Sequence, residues 1–123
     1  MIFGIGTDII EVSRMERHLE AGNGLKNKLF TAREQAYADD KATIYQHYAA
    51  RFAAKEAFAK ALGTGFREGV FMKDIAVVHQ KSGKPQLKIY GGALKHLQKL
   101  AGSKEVNVQV SMSDDYPWAQ AFV

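Results

Sequence analysis

The sequence predicts an α+β domain with a mainly antiparallel sheet, in the order β-α-α-α-β-β-α-β-β. Three observations carry that expectation. Ser/Thr-x-x-Glu spacings open helices in the first half, a long alanine- and aromatic-rich run ends on glycine, and alternating apolar segments joined by turn residues fill the second half.

Residues 2–10, IFGIGTDII, are rich in β-branched residues and contain two glycines, which predicts a strand buried on both faces. Ser13 and Glu16 have the spacing of a capping box, in which each side chain satisfies a free backbone N–H at the helix start. A helix is therefore expected from Arg14 to about Ala21, ended by GNG at 22–24. Thr31 and Glu34 repeat the spacing before a second short helix, and a third runs from near Thr43 to Leu62 with Gly63 as its C-cap. FMKDIAVVH (71–79) and QLKIY (86–90) read as strands of a hairpin turning through KSGKP (81–85). Ala93, Leu94, Leu97, Leu100 and Ala101 form one stripe of a further helix. VNVQVSM (106–112) and WAQAFV (118–123) then read as two alternating strands joined by SDDYP. With no repeat, low-complexity tract or linker, residues 1–123 are expected to form one domain.

Composition narrows the function. The 123 residues contain no cysteine, which excludes disulfides, zinc-thiolate sites, iron-sulfur clusters and cysteine nucleophiles. The apolar runs are far too short to cross a bilayer. MIFGIGTDII lacks a basic leader and is interrupted by Asp8, which argues against a secretory signal and for a cytoplasmic location. A net charge of +4 favours an anionic partner, whether nucleic acid, a phosphorylated small molecule or an acidic protein.

The third helix holds charges out of place. Ile44, Tyr45, Tyr48, Phe52, Phe58, Leu62 and the intervening alanines surround nearly all of it, leaving no broad polar face for Arg51, Lys55, Glu56 and Lys60. Glu56 and Lys60 have the spacing of an ordinary helix pair, but Arg51 and Lys55 repel each other, and desolvating such charges costs more than a surface pair returns. Asp8 is a second misfit, because aspartate is depleted in strands and here shares a face with Ile2, Gly4, Gly6 and Ile10. It could serve as a cap for the following helix or as a metal ligand. One Asp from a strand and one Glu from a helix suit Mg²⁺, which keeps several waters and is completed by substrate phosphates. Set among Arg51, Lys55, Lys60 and the glycines of GTG (63–65), whose N–H groups can approach an anion closely, the pair suggests a diphosphate held by a metal and cations. Arg14, Arg17 and His18, with Met15 beside them, form either a solvated basic face or a landing surface for an acidic protein. The four histidines show no metal-ligand spacing, and none is assigned a catalytic role.

GIGTDIIEVSRM (4–15) and RFAAKEAFAKALGTG (51–65), followed in order by SGKPQL (82–87) and VQVSMSDDYPWAQAFV (108–123), resemble the bacterial holo-(acyl carrier protein) synthases, the small phosphopantetheinyl transferases. The resemblance implies transfer of 4'-phosphopantetheine from coenzyme A to a serine of apo acyl carrier protein, with Mg²⁺ required and adenosine 3',5'-bisphosphate released. It implies Asp8 and Glu56 as metal ligands, Glu56 and Lys60 as catalytic groups, and either Glu56 through a water or a metal-bound hydroxide as the acceptor of the serine proton. It places Arg51, Lys55, Lys60, Gly63 and Gly65 on coenzyme A, with Gly83, Lys84 and Pro85 near its nucleotide end, and Arg14, Met15, Arg17 and His18 on the carrier protein. It further implies a homotrimer with sites between subunits. One position departs: where family members often show Ser-His, this chain has Ser113-Asp114, and a carboxylate there weakens any contact with the nucleotide's 3'-phosphate. Two other readings are a basic nucleic-acid-binding module, which gives Asp8 and Glu56 no role, and a coenzyme A-binding protein without transferase activity.

Overall fold

A computed structural model describes residues 1–22 and 24–123. Its elements are β1 (Thr7–Glu11), α1 (Val12–Glu20), α2 (Leu25–Leu29), α3 (Ala32–Asp39), α4 (Ile44–Leu62), a 3-10 turn (Met72–Asp74), β2 (Ile75–His79), β3 (Pro85–Ile89), α5 (Gly91–Ala101), β4 (Ser111–Asp115) and β5 (Trp118–Phe122). The order is the expected one, with the short α2 and the 3-10 turn inserted. Strands β1, β5 and β4 form one antiparallel sheet in that order, and β2 and β3 form an antiparallel hairpin.

Helix α4 is the centre of the molecule. It packs against β1, β4 and β5 on one side and against α1, α3, α5 and β2 on others, so its buried surface wraps most of its circumference. That is why the helix has no polar face: Tyr48, Ala49, Ala53, Ala54, Ala57, Phe58 and Leu62 are all buried. The many alanines let neighbouring backbones come close. The helix stops at Gly63, whose φ of 86° is the left-handed C-cap conformation that glycine adopts without a Cβ clash.

Four expectations require correction. The opening strand is shorter and less covered than its composition suggests: Met1, Ile2 and Ile5 are exposed, and regular pairing with β5 covers only Thr7–Glu11. Ser13 does not cap α1, which begins at Val12 behind Glu11; the Ser13 hydroxyl instead donates to the Glu11 carboxylate. The end of that helix expected at GNG involves Asn23, which lies outside the described residues. In FMKDIAVVH the first residues turn as 3-10 before the strand starts at Ile75. Residues 106–110 form no strand, and β4 runs on through Asp114 and Asp115, so the turn tightens to Tyr116 and Pro117. The Thr31–Glu34 capping box forms as expected, with Glu34 N–H donating to Thr31 Oγ1 at 3.2 Å and Thr31 N–H to Glu34 Oε1 at 3.0 Å.

Candidate active site

Alternation along β1 turns Asp8 and Ile10 toward α4 and Thr7, Ile9 and Glu11 away from it. The approach of strand to helix depends on Gly4 and Gly6. A Cβ on Gly6 would sit 1.9 Å from the Ala57 carbonyl oxygen, and one on Gly4 would sit 2.0 Å from that of Ala61. The space that the glycines clear is therefore filled by the helix backbone, and the result is to lay Asp8 beside the turn of α4 that carries Glu56 and Lys60.

Lys60 does not pair along the helix with Glu56. Its Nζ donates to Asp8 Oδ1 and to the Thr7 carbonyl, each at 3.1 Å. Glu56 is half-buried, and its pKa is raised, first by desolvation and then by the Asp8 charge, against lowering by Lys60 and Arg14. Asp8, Glu56, Lys60 and Arg14 thus share one electrostatic neighbourhood at the junction of β1, α1 and α4. As a donor set, two hard carboxylates from rigid elements fit Mg²⁺, with water and substrate oxygens needed to fill the remaining positions. No group of three or more His, Cys, Asp or Glu side chains gathers among the described residues, so a closed protein cage of that kind is not offered.

Of the expected coenzyme A contacts, Lys55 needs correction, and Gly63 and Gly65 have their N–H groups bonded within the chain. Lys55 is fully buried and its ammonium donates to Glu34 Oε1 (2.8 Å), Met72 O (3.0 Å) and Ile75 O (2.7 Å), which uses all three of its protons. Desolvation lowers its pKa, offset by the Glu34 carboxylate. The Gly63 and Gly65 N–H groups are likewise committed, Gly63 to Ala59 O and Lys60 O at 3.1 Å and Gly65 to Ala59 O at 3.3 Å. They close the negative end of the α4 dipole.

Arg51 is also buried, yet its guanidinium is only partly satisfied among the described residues: Nη1 donates to His47 O at 3.2 Å, while Nε and Nη2 have no hydrogen-bond partner there. Burial lowers its pKa, opposed by Tyr37 and Glu34. The guanidinium lies 4.4 Å from the centre of the Tyr37 ring, which stacks on His79 at 4.6 Å. His79 pairs across the hairpin with Pro85, so Arg51 and the turn at Gly83, Lys84 and Pro85 lie at one end of the molecule. Gly83 there has φ of 88° and donates to Gln80 O at 2.8 Å. Both His47 and His79 have lowered pKa values, through burial and then the Arg51 charge, and Asp114 acts on His47 in the opposite sense. Tyr37, His47, His79 and Glu34 were not singled out as site residues from the sequence. Only Glu34 left a signal there, as a capping residue, and nothing local shows that its second oxygen reaches Val77 N–H at 3.0 Å.

On α1, Arg14, Arg17 and His18 are exposed. Met15 is buried in the core and offers a protein partner almost no surface, a correction to its expected role. With Ile10, Arg14, His18, Leu25, Leu29 and Phe52 it lines a cavity of about 150 Å³.

The chain matches the model of the 4'-phosphopantetheinyl transferase superfamily over residues 4–121. It is 48% identical to the holo-[acyl-carrier-protein] synthase of Erythrobacter litoralis, an alignment that spans 100% of this chain and 95% of that protein. The crystal structure of holo-[acyl-carrier-protein] synthase from Neisseria meningitidis superposes with a TM-score of 0.85 at 38% identity, covering 99% of this chain and 96% of the other. The Bacillus anthracis holo-(acyl-carrier-protein) synthase, solved in complex with CoA (3',5'-ADP), gives a TM-score of 0.79 at 35% identity over 99% and 94% of the two chains. A strand aspartate set against a helix glutamate in this fold, with relatedness along the whole chain, leads to one conclusion: the chain belongs to the holo-[acyl-carrier-protein] synthases of the 4'-phosphopantetheinyl transferase superfamily.

Proposed function

We propose that residues 1–123 act as one catalytic domain that transfers 4'-phosphopantetheine from coenzyme A to a serine of apo acyl carrier protein. The transfer is Mg²⁺-dependent, releases adenosine 3',5'-bisphosphate and supports fatty acid biosynthesis in the cytoplasm. The observation that carries this reading is the placement of Asp8 against the Glu56–Lys60 turn of α4, in a chain 48% identical over its full length to a holo-[acyl-carrier-protein] synthase. The coenzyme A complex of the Bacillus anthracis relative supports the choice of donor.

Asp8 and Glu56 would hold Mg²⁺, which supplies positive charge to the diphosphate where negative charge builds on the leaving phosphate. Lys60, more than half exposed, can reach a diphosphate oxygen from the same turn. Glu56, whose pKa desolvation and Asp8 raise in the cation-free chain, is the carboxylate placed to accept the serine proton through a water. Arg51, with Nε and Nη2 unpartnered, and the turn at Gly83, Lys84 and Pro85 offer the nucleotide end its contacts. Arg14, Arg17 and His18 present positive or protonatable groups to an acidic carrier, next to the catalytic carboxylates.

Assembly as a homotrimer with sites between subunits accounts for the outer face of the three-stranded sheet. There Ile9, Trp118 and Phe122 are about half exposed, and Ile2 and Ile5 in the segment before β1 more so, which is unusual for a monomer surface. No helix among the described residues is long and apolar enough to cross a membrane. A nucleic-acid-binding role leaves the Asp8–Glu56 pair unexplained, since two carboxylates repel a phosphate backbone.

The direct experiment is incubation with coenzyme A, Mg²⁺ and apo carrier protein, followed by intact-mass analysis of the carrier. A mass gain of one phosphopantetheine on the carrier serine is expected. No gain, with a working transferase run in parallel, overturns the reading.

A further inference from the structure

Lys60 occupies a position that its proposed role in substrate binding does not require. It lies in the last turn of α4, where its charge already favours the helix dipole, yet its side chain reaches across to β1 and donates to both Thr7 O and Asp8 Oδ1 at 3.1 Å. The two acceptors come from the strand that carries the carboxylate, and the ammonium is bound to the carboxylate oxygen itself. Asp8 is only 17% exposed, so without this partner its charge would sit partly desolvated beside Glu56. The side chain of Lys60 is 54% exposed, its three ammonium protons are given two acceptors among the described residues, and its four-carbon stem is flexible.

We propose that Lys60 is an exchangeable counter-ion: it neutralises and aims Asp8 while the site holds no divalent cation, and it is released toward the substrate diphosphate when one binds. This inference rests on the assignment of Asp8 and Glu56 as cation ligands. Its physical basis is that one carboxylate oxygen cannot serve an ammonium at hydrogen-bond distance and a divalent cation at once without bringing like charges together. A cation on Asp8 takes over its neutralisation, so the half-exposed Lys60 leaves at small cost, and the freed ammonium is left one helical turn from Glu56, where a polyphosphate attracts it. Binding of cation and diphosphate then becomes mutually reinforcing, because each removes an obstacle to the other.

The signature is a change of sign. In Lys60→Gln, Mn²⁺ alone, followed by its EPR signal at fixed pH near neutrality, should bind about three- to five-fold more tightly than in the wild type, because its competitor is gone. Coenzyme A in the presence of Mg²⁺ should bind about ten-fold more weakly in the same variant, because the exchanged lysine is missing. The wild-type protein gives an independent readout: the ¹⁵Nζ resonance of Lys60, assigned by its loss in Lys60→Arg, should move on addition of Mg²⁺ without coenzyme A, and move again when coenzyme A follows. Tighter Mn²⁺ binding with a shifting Nζ signal supports the proposal. Unchanged or weaker Mn²⁺ binding in Lys60→Gln, or an Nζ signal indifferent to Mg²⁺, overturns it while leaving the cation site intact. If Asp8→Asn and Glu56→Gln bind Mn²⁺ as the wild type does, the assignment of the ligands fails and this inference falls with it.

Discussion

Lys55 and Glu34 form an ion pair at 2.8 Å in which neither side chain is exposed to solvent. Glu34 also accepts from Thr31 N–H and Val77 N–H, and Lys55 donates to two carbonyls, so the pair ties α3, α4, the 3-10 turn and β2 together at one buried point. Removing one partner strands a desolvated charge. Lys55→Met should therefore lower stability by about 3–5 kcal/mol in urea denaturation, the usual cost of breaking a buried pair from one side. A loss under about 1 kcal/mol would show that the pair is accessible to water.

Glu56 should reveal itself through pH. Its pKa is raised in the folded chain by desolvation and by Asp8. Between the ordinary glutamate value and the raised one, the native state binds more protons than the unfolded state, so stability falls as pH rises through that window. Glu56→Gln should remove this dependence and raise the melting temperature at neutral pH, while cutting carrier modification by at least about a hundred-fold. A melting temperature that drops in Glu56→Gln would mean the carboxylate is paired rather than strained.

Arg51 separates a binding role from a structural one. Arg51→Lys keeps the charge but loses the planar fork and the stacking on Tyr37. The KM for coenzyme A should rise roughly ten-fold, as expected for the loss of a charge-assisted hydrogen bond, with kcat changed far less. If only the melting temperature falls and the KM stays put, the guanidinium is a core element and its free N–H groups face no ligand.

Gly6→Ala should be among the most damaging single-methyl changes available. The added carbon must displace a helix carbonyl 1.9 Å away, forcing β1 off α4 and moving Asp8 from its place beside Glu56. A loss of about 1–3 kcal/mol or more is expected from overpacking alone. Activity should fall by more than the change in folded fraction, since a displacement of an ångström is costly at a reacting centre. Equal losses in both would show that the strand carries the carboxylate passively.

What the sequence disclosed follows from the range of the interactions involved. The Thr31–Glu34 box and the Gly63 cap are local, decided within four residues, and both form as read. Asp8 and Glu56 were conspicuous because charge is out of place where composition calls for burial, and the fold sets them near each other. The same test misled at Lys55, because a buried cation signals a partner without saying whether that partner is a ligand or, as here, a glutamate 21 residues earlier. Strand limits were harder. Residues 106–110 alternate like a strand but pair with no strand among the described residues, and pairing is a property of two segments. The cluster of Tyr37, His47, Arg51 and His79 is assembled from α3, α4 and β2 and has no signature in any one of them.

The contact of Gly4 and Gly6 with α4 also has a genetic consequence. Both glycines meet carbonyl oxygens, at Ala61 and Ala57, and a carbonyl is present whatever side chain the helix position bears. A screen for suppressors of Gly6→Ala should consequently return revertants at codon 6 but no rescuing substitution at 57 or 61. The helix positions are free to drift within the limits of packing, whereas the glycines opposite them admit no compensation.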